Sequence, residues 1–233
     1  MRGCPSQPVV SDVLAGVLFA LAVYWAVGAT VYRMVVWART ASPLPIPITP
    51  APRTRLGVAG RLALEVFAFR SLARANATTW IASLLFHYGL LLVMIMHLRF
   101  AVSELPLALL PFIRFSGWAL LAMISGLVVL LLRRVLVDRV RYLSSPSDYL
   151  HLVLLMVTGL TGALIKRVWP TDLFDVGMFL RGAVTLRWQP MPEGLVVLIH
   201  IGLATLLLLI FPISKLVHGV GILFSPTLNQ RER

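Results

Sequence analysis

Cysteine is almost absent from the 233 residues, since Cys4 is the single one. One thiol cannot form an intrachain disulfide, and an iron–sulfur cluster needs about four thiolate ligands. The C-x-x-C-H motif that attaches haem covalently is absent from the sequence as well. The sequence therefore excludes iron–sulfur, zinc-finger and dithiol chemistry within this chain, and Cys4 is interpreted as a free thiol.

Charged residues are also scarce, and most of them are basic. They make up 13% of the chain, with 9 acidic against 21 basic side chains, while 59% of residues are hydrophobic and the mean hydropathy is +0.89. An ordinary soluble domain is about 25% charged, so this composition argues against a disordered chain and against a soluble domain. In a soluble protein the net charge of +12 would suggest nucleic acid, whereas here we assign it to loops beside a membrane.

Long uncharged stretches dominate what is present. A bilayer core requires about 20 mostly apolar residues per helix, and five stretches of 17 to 24 residues contain no Asp, Glu, Lys or Arg. The sequence has no internal repeat, glycine-rich phosphate loop or serine-nucleophile elbow. We therefore predict an all-α membrane protein in one 233-residue domain, with five transmembrane helices at about 13–36, 75–100, 113–133, 148–166 and 194–220.

The basic residues predict the orientation of the spans. Fourteen of them lie between spans one and two, between spans three and four, and after span five, against seven on the opposite side. Lys and Arg accumulate on the cytoplasmic side of a membrane. We therefore expect the N-terminus outside, the C-terminus in the cytoplasm, and a multi-pass protein of the inner (cytoplasmic) membrane.

The long connection 41–74 has two parts. Five prolines between positions 43 and 52 predict an extended segment. After it, an apolar stretch with arginines at 55, 61, 70 and 74 favours an amphipathic helix on the cytoplasmic membrane surface, with a solvated loop as the alternative. In the loop 167–193, Trp169 and Trp188 fit an interfacial belt.

Four of the five histidines lie in two spans, with His87 and His97 in the second and His200 and His218 in the fifth. Ionisable side chains at membrane depth are costly and usually functional. Because the two spans run antiparallel, we expect His87 near His218 at the cytoplasmic side and His97 near His200 at the outer side. On a continuous helix, eighteen residues make five full turns, so His200 and His218 would share one face unless Pro212 kinks the helix.

Two imidazoles facing each other across two helices suit the axial ligation of a haem iron. Zinc would take about four ligands, and no Cys, Asp or Glu accompanies either pair within the spans. Two histidine ligands leave no open position on the iron, which favours electron transfer over oxygen chemistry. The fifth histidine, His151, is interpreted as an interfacial polar residue. Nearby glycines either admit a porphyrin or pack helices together: Gly89, Gly159, Gly162, Gly202, Gly219 and Gly221.

This pattern of spans and histidines resembles the gamma subunit family of respiratory nitrate reductase. The resemblance covers nearly the whole chain and is carried by FHYGLLLVMIMHLRF at 86–100 and FPISKLVHGVGILFSPTLNQ at 211–230. The ending GILFSPTLNQ is similar to one branch, the membrane cytochrome b subunits of the Dsr complexes that accompany dissimilatory sulfite reductase.

The resemblance implies two b-type haems, one held by His87 with His218 and the other by His97 with His200. It implies electron exchange between the quinone pool, menaquinone or ubiquinone, and a cytoplasmic iron–sulfur partner related to heterodisulfide reductase. Further membrane and periplasmic subunits would belong to the same complex.

Four arginines are candidate contacts for these cofactors. Arg114 matches the position of a basic residue beside the outer haem and quinone in the family, and Arg99 is its neighbour in that region. Arg133 and Arg134 could pair with haem propionates, because Arg binds carboxylates bidentately. The alternative for Arg99 is an ordinary interfacial charge. For Arg133 and Arg134 the alternative is that they only mark the cytoplasmic side.

Two other functions remain open. The gamma subunit of a nitrate reductase, which oxidises quinol, is the nearer alternative, and the ending of the chain argues against it. A structural membrane anchor or a histidine-lined metal transporter is the more distant one. A transporter would need acidic or broken-helix sites near the midplane.

Overall fold

The computed structural model describes residues 7–40, 47–102, 110–225 and 227–231, so Cys4 and part of the proline-rich segment lie outside it. Within these ranges the chain forms helices and connecting segments without a strand. Five helices are long and apolar enough to cross a membrane, which confirms the predicted number. They are Val10–Arg39, Ala77–Phe100, Pro111–Leu136, Pro146–Arg167 and Leu195–Ile213.

Ten α-helices make up the described part of the chain. The spans are formed by α1, α4, α5, α7 and α9, and α4 continues into a short 3₁₀ turn, Leu98–Phe100. The helices are α1 (Val10–Arg39), α2 (Arg55–Ala68), α3 (Arg70–Ala75), α4 (Ala77–His97), α5 (Leu110–Leu136), α6 (Asp138–Leu143), α7 (Pro146–Arg167), α8 (Leu173–Val184), α9 (Leu195–Ile210) and α10 (His218–Gly221).

The fifth span is broken, contrary to the expectation of one continuous helix to residue 220. Helix α9 ends at Ile210, and two 3₁₀ turns, Phe211–Ile213 and Lys215–Val217, precede α10. Pro212 explains the break, because it has no N–H to donate and its ring clashes with the preceding turn of a helix. Of the two possibilities that the sequence left open, the structure has the break at Pro212, so His200 and His218 do not share a face of one continuous helix.

Helices α4 and α5 form the tightest contact of the bundle. A Cβ placed on Gly89 would lie 2.6 Å from the carbonyl oxygen of Ala119, and one on Gly126 would lie 2.6 Å from the amide nitrogen of Phe86. The two backbones approach this closely only because both positions lack a side chain. The sequence left open whether Gly89 admits a porphyrin or packs helices together. In the structure it packs α4 against α5.

The other spans pack in sequence: α5 on α7, α7 on α9, and α9 on α1. Helices α4 and α9, which carry three of the four paired histidines, are not among the pairs that pack closely in the described part of the chain. Between these two helices the closest approach described is that of the His97 and His200 rings.

In the described part of the chain, four shorter α-helices, α2, α3, α6 and α8, lie in the connections between spans. The region 55–75 forms α2 and α3, joined at Phe69, which adopts a left-handed conformation with φ 47°. Helix α8 lies between spans four and five, and its buried face packs on α1. This helix was not predicted from the sequence. The location of α2 at the membrane surface and the direction of the five spans stay predictions.

The close contact of α4 with α5 generates a stability test. Gly126→Ala should lower the thermal unfolding midpoint of the purified chain, because the added methyl group overlaps Phe86 and overpacking costs about 1–3 kcal/mol. The matched control is Gly28→Ala on α1, where nothing lies within 4 Å of the added Cβ. Equal midpoints for the two variants would contradict the packing described.

Candidate functional site

The structure brings the four span histidines together in two pairs. The ring centroids of His87 and His218 lie 5.8 Å apart with an interplanar angle of 87°. Those of His97 and His200 lie 6.1 Å apart with an angle of 25°. These are the juxtapositions expected from antiparallel spans. The role of the four side chains as metal ligands stays a prediction.

Hydrogen bonds fix the tautomer of three of these imidazoles. A backbone carbonyl can only accept, so a ring Nδ1 bonded to one carries the proton and leaves the Nε2 lone pair available to a metal. Each of the three donates from Nδ1 to a carbonyl three or four residues earlier in the chain: His87 to Ser83 at 2.8 Å, His97 to Val93 at 2.7 Å and His218 to Lys215 at 2.8 Å.

The fourth imidazole, His200, is held by a side chain of the neighbouring span α7. Its Nδ1 lies 2.9 Å from Oγ1 of Thr161, and this hydroxyl donates to the carbonyl of Thr158 at 2.9 Å. Because a hydroxyl has one proton, Thr161 accepts from His200, so the Nε2 of His200 is also free. Gly162 lies beside the ring, where an added Cβ would be 3.3 Å from Cε1 of His200. The sequence had indicated Gly162 but not Thr161.

The two pairs fit a haem better than a metal ion bound by protein alone. In each pair the two rings face each other at about 6 Å, a spacing that would suit two histidine ligands of one haem iron. No group of three or more His, Cys, Asp or Glu side chains with metal-binding geometry occurs among the described residues. Each pair would thus hold the iron of a haem, which supplies the remaining ligands itself.

His218 follows the irregular segment, which an ion pair ties to α7. The ammonium group of Lys215 lies 2.8 Å from Oδ1 of Asp148 and 3.1 Å from Oγ of Ser145. Since the carbonyl of Lys215 is also the acceptor for Nδ1 of His218, this ion pair holds the residue that orients the imidazole.

Helix α1 stabilises the same segment from the other side. The break in the fifth span leaves backbone carbonyls without helical partners. Nε1 of Trp25 donates to the carbonyl of Leu209 at 3.0 Å, and the guanidinium of Arg33 donates to the carbonyl of Pro212. Nothing in the sequence predicted this contact of Arg33.

The four candidate arginines have different surroundings. Arg134 donates to Ser144 at 2.8 Å and lies 3.7 Å from a carboxylate oxygen of Asp148, so both of these contacts are with protein groups. Arg133, beside it at the end of α5, is half-buried. Their contact with propionates stays a prediction.

The other two arginines lie at the opposite end of the spans. The guanidinium of Arg99 lies 4.9 Å from the ring centroid of Phe100, and this ring is 5.9 Å from His97. Arg114 is exposed at the start of α5. Lys166, which the sequence analysis did not single out, donates to Ser116 on α5 at 2.5 Å. A role for Arg99 and Arg114 in quinone binding stays a prediction.

His151 differs from the other four histidines. It is half-buried near the start of α7, and no ring contact or hydrogen bond of its side chain occurs in the described ranges. It therefore belongs to neither pair.

Comparisons with known proteins show the family of this chain. The family model described as nitrate reductase gamma subunit matches residues 70–229, which include all four paired histidines. A protein of Archaeoglobus fulgidus named "Hdr-like menaquinol oxidoreductase cytochrome b-like subunit" is 33% identical over 93% of this chain and 80% of its own length. A protein of the same name from Archaeoglobus profundus is 32% identical over 86% of this chain and 73% of its own. From the match over more than half of its length, the chain belongs to the nitrate reductase gamma subunit family.

Proposed function

We propose that this protein is a membrane dihaem b subunit that transfers electrons between the quinone pool and a cytoplasmic iron–sulfur partner. The proposal rests on the two histidine pairs. In each pair two imidazoles face each other, and hydrogen bonds at Nδ1 leave each Nε2 free. A haem supplies reversible one-electron chemistry when it is bound, while the protein supplies ligands, orientation and a dry environment. Two axial histidines leave no position for oxygen or substrate on the iron.

The names of the relatives support a quinol as the molecule in the membrane that gives electrons to this protein or is formed when the protein returns them. Both relatives are called menaquinol oxidoreductase subunits, so menaquinone is the first choice and ubiquinone the second. We place quinone exchange at the His97–His200 end, where Arg99 and Arg114 are the candidate contacts. If the predicted orientation is right, this end faces outward, and protons from quinol would be released outside.

The same names support a complex with other subunits. Both relatives are described as Hdr-like, which agrees with an iron–sulfur partner related to heterodisulfide reductase. Further membrane and periplasmic subunits would complete a complex of dissimilatory sulfur metabolism in the inner membrane. We expect the iron–sulfur partner at the His87–His218 end, where most basic residues lie.

The nitrate reductase gamma subunit remains the alternative, because the family match covers both kinds of complex. The Hdr-like names of the relatives favour the first proposal. A structural anchor would have no need of two imidazole pairs with oriented tautomers, and this observation disfavours it.

The histidine pairs generate the first functional prediction. A pyridine haemochrome assay on the purified chain should give two non-covalent b haems. His87→Ala and His218→Ala should each remove the same haem signal, and His97→Ala and His200→Ala the other one, because each pair shares one iron. Redox-titrated EPR of the single variants measures this.

His151→Ala is the matched control for these variants. It removes a histidine from a neighbouring span without touching either pair, so both haem signals should remain. One haem or none in the wild-type chain would refute the proposed function. Loss of the same signal in His87→Ala and His97→Ala would refute the pairing.

Partner docking generates a second prediction, which uses two exposed arginines at opposite ends of the spans. Arg139→Glu, in α6 at the predicted cytoplasmic end, should weaken retention of the iron–sulfur partner about two- to fivefold in affinity purification, as expected for one surface charge pair. Arg187→Glu, after α8 at the other end, is the control and should leave retention unchanged. Both variants should keep both haems. If Arg187→Glu alone weakened retention of the partner, the partner would dock at the opposite end from the one predicted.

A further inference from the structure

Helix α2 exposes its apolar face and turns its polar face toward the protein. Leu56, Leu64 and Phe67 are 83%, 45% and 64% exposed. On the other face, Arg61 donates to the carbonyl of Pro50 at 2.6 Å, and Glu65 accepts from Ser71 at 2.8 Å. A helix in water would have the opposite arrangement.

The C-terminal end of α2 lies beside the first half of the second span. The hydroxyl of Tyr88 donates to the carbonyl of Phe67 at 2.7 Å, and Nε1 of Trp80 donates to the carbonyl of Ala68. Trp80 and Tyr88 are three and eleven residues from the first residue of α4, which are rises of about 5 Å and about 16 Å on an ideal helix. The end of α2 therefore lies between these two levels, inside the start of the span.

The terminal carbonyls of α2 also have dedicated donors. Besides the bond from Tyr88, Nε1 of Trp80 donates to the carbonyl of Ala68 at 2.8 Å. The last carbonyls of a helix in water are satisfied by solvent, whereas in lipid each needs a partner within the protein. These two bonds therefore agree with a dry location for this end of α2.

We propose that the exposed face of α2 inserts among the acyl chains of an anionic lipid leaflet. Exposed arginines flank the helix, with Arg55 at its start and Arg70 and Arg74 just beyond its end. Their guanidinium groups would lie among the phosphate headgroups, while Leu56, Leu64 and Phe67 contact the chains. This proposal concerns the lipid contact alone and does not depend on haem binding.

Spin-label accessibility tests the lipid contact. The full chain, with Cys4→Ser as background, is labelled at Leu64→Cys and placed in vesicles of phosphatidylethanolamine and phosphatidylglycerol. Oxygen concentrates in lipid, and a nickel chelate stays in water. We expect high collision with oxygen and low collision with the chelate at Leu64→Cys. Leu56→Cys provides a second site on the same face.

Two positions calibrate this measurement. Leu121→Cys, 55% exposed within the span α5, is the lipid reference. Thr40→Cys, exposed at the end of the 30-residue α1, is the water reference, because that helix is longer than a bilayer core. A Leu64 label that resembles the Thr40 label would overturn the proposal. Low collision with both reagents would indicate protein cover and would overturn it too.

A second observation concerns Phe69, which follows α2. Its φ of 47° places it in the left-handed region, which is unusual for a bulky residue. Its ring lies 5.0 Å from that of His87. Strain held at such a position suggests that the side chain has a role there.

The geometry also points to Phe69 as a positioning residue that covers the His87 side of the first pair and excludes water from it. This inference rests on the proposed haem at His87 and His218. Water stabilises the charged ferric form, so an apolar cover raises the reduction potential of the iron beneath it.

Two variants separate the effect of the Phe69 ring from the effect of its backbone conformation. Phe69→Ala and Phe69→Gly both remove the ring, but only the glycine relieves the positive φ. Both should lower, by the same amount, the midpoint potential of the haem whose signal disappears in His87→Ala, and leave the other haem unchanged. Thermal stability should differ between them, with Phe69→Gly the more stable.

The possible outcomes distinguish this inference from the proposed function. Absence of haem in the wild-type chain would refute the function itself. Two haems with an unchanged midpoint in both variants would refute the role of Phe69 and leave the function standing. A shift in Phe69→Gly alone would assign the effect to the backbone and would also refute the role of the ring.

Discussion

Inside a bilayer, every polar group that the fold exposes must find its partner within the protein, and the fifth span depends on this requirement. Pro212 ends the helical hydrogen bonding of α9 and leaves carbonyls without donors. Trp25 and Arg33 supply donors from α1, and the Lys215–Asp148 ion pair anchors the next turn to α7. The break can therefore persist at membrane depth.

The same requirement orients the imidazoles. A histidine surrounded by lipid and helices satisfies its Nδ1 proton with the nearest acceptor, which is the carbonyl of a preceding residue for three of them and Thr161 for His200. Satisfying one nitrogen leaves the other without a partner. The arrangement that stabilises each neutral ring is thus also the one that prepares it to bind a metal.

Much of this could be predicted from the sequence, because the bilayer imposes long uncharged stretches and antiparallel neighbours bring their histidines together. Contacts that join distant parts of the chain could not be predicted. Pro212 indicated a kink, but nothing in the sequence links it to Arg33, 179 residues away. Helix α8 is too short to give the signal of a span. Phe69 occupies a conformation that sequence patterns assign to glycine or asparagine.

The two pairs are held by different kinds of structure. His97 and His200 project from α4 and α9, with the Nδ1 of His200 held by α7. His218 instead follows 3₁₀ turns that polar contacts with α1 and α7 hold in place. The position of this imidazole therefore depends on side-chain contacts between elements, whereas His97 and His200 are carried by continuous helices. In the proposed function, the centre next to the partner would be the one whose ligand segment depends on such contacts.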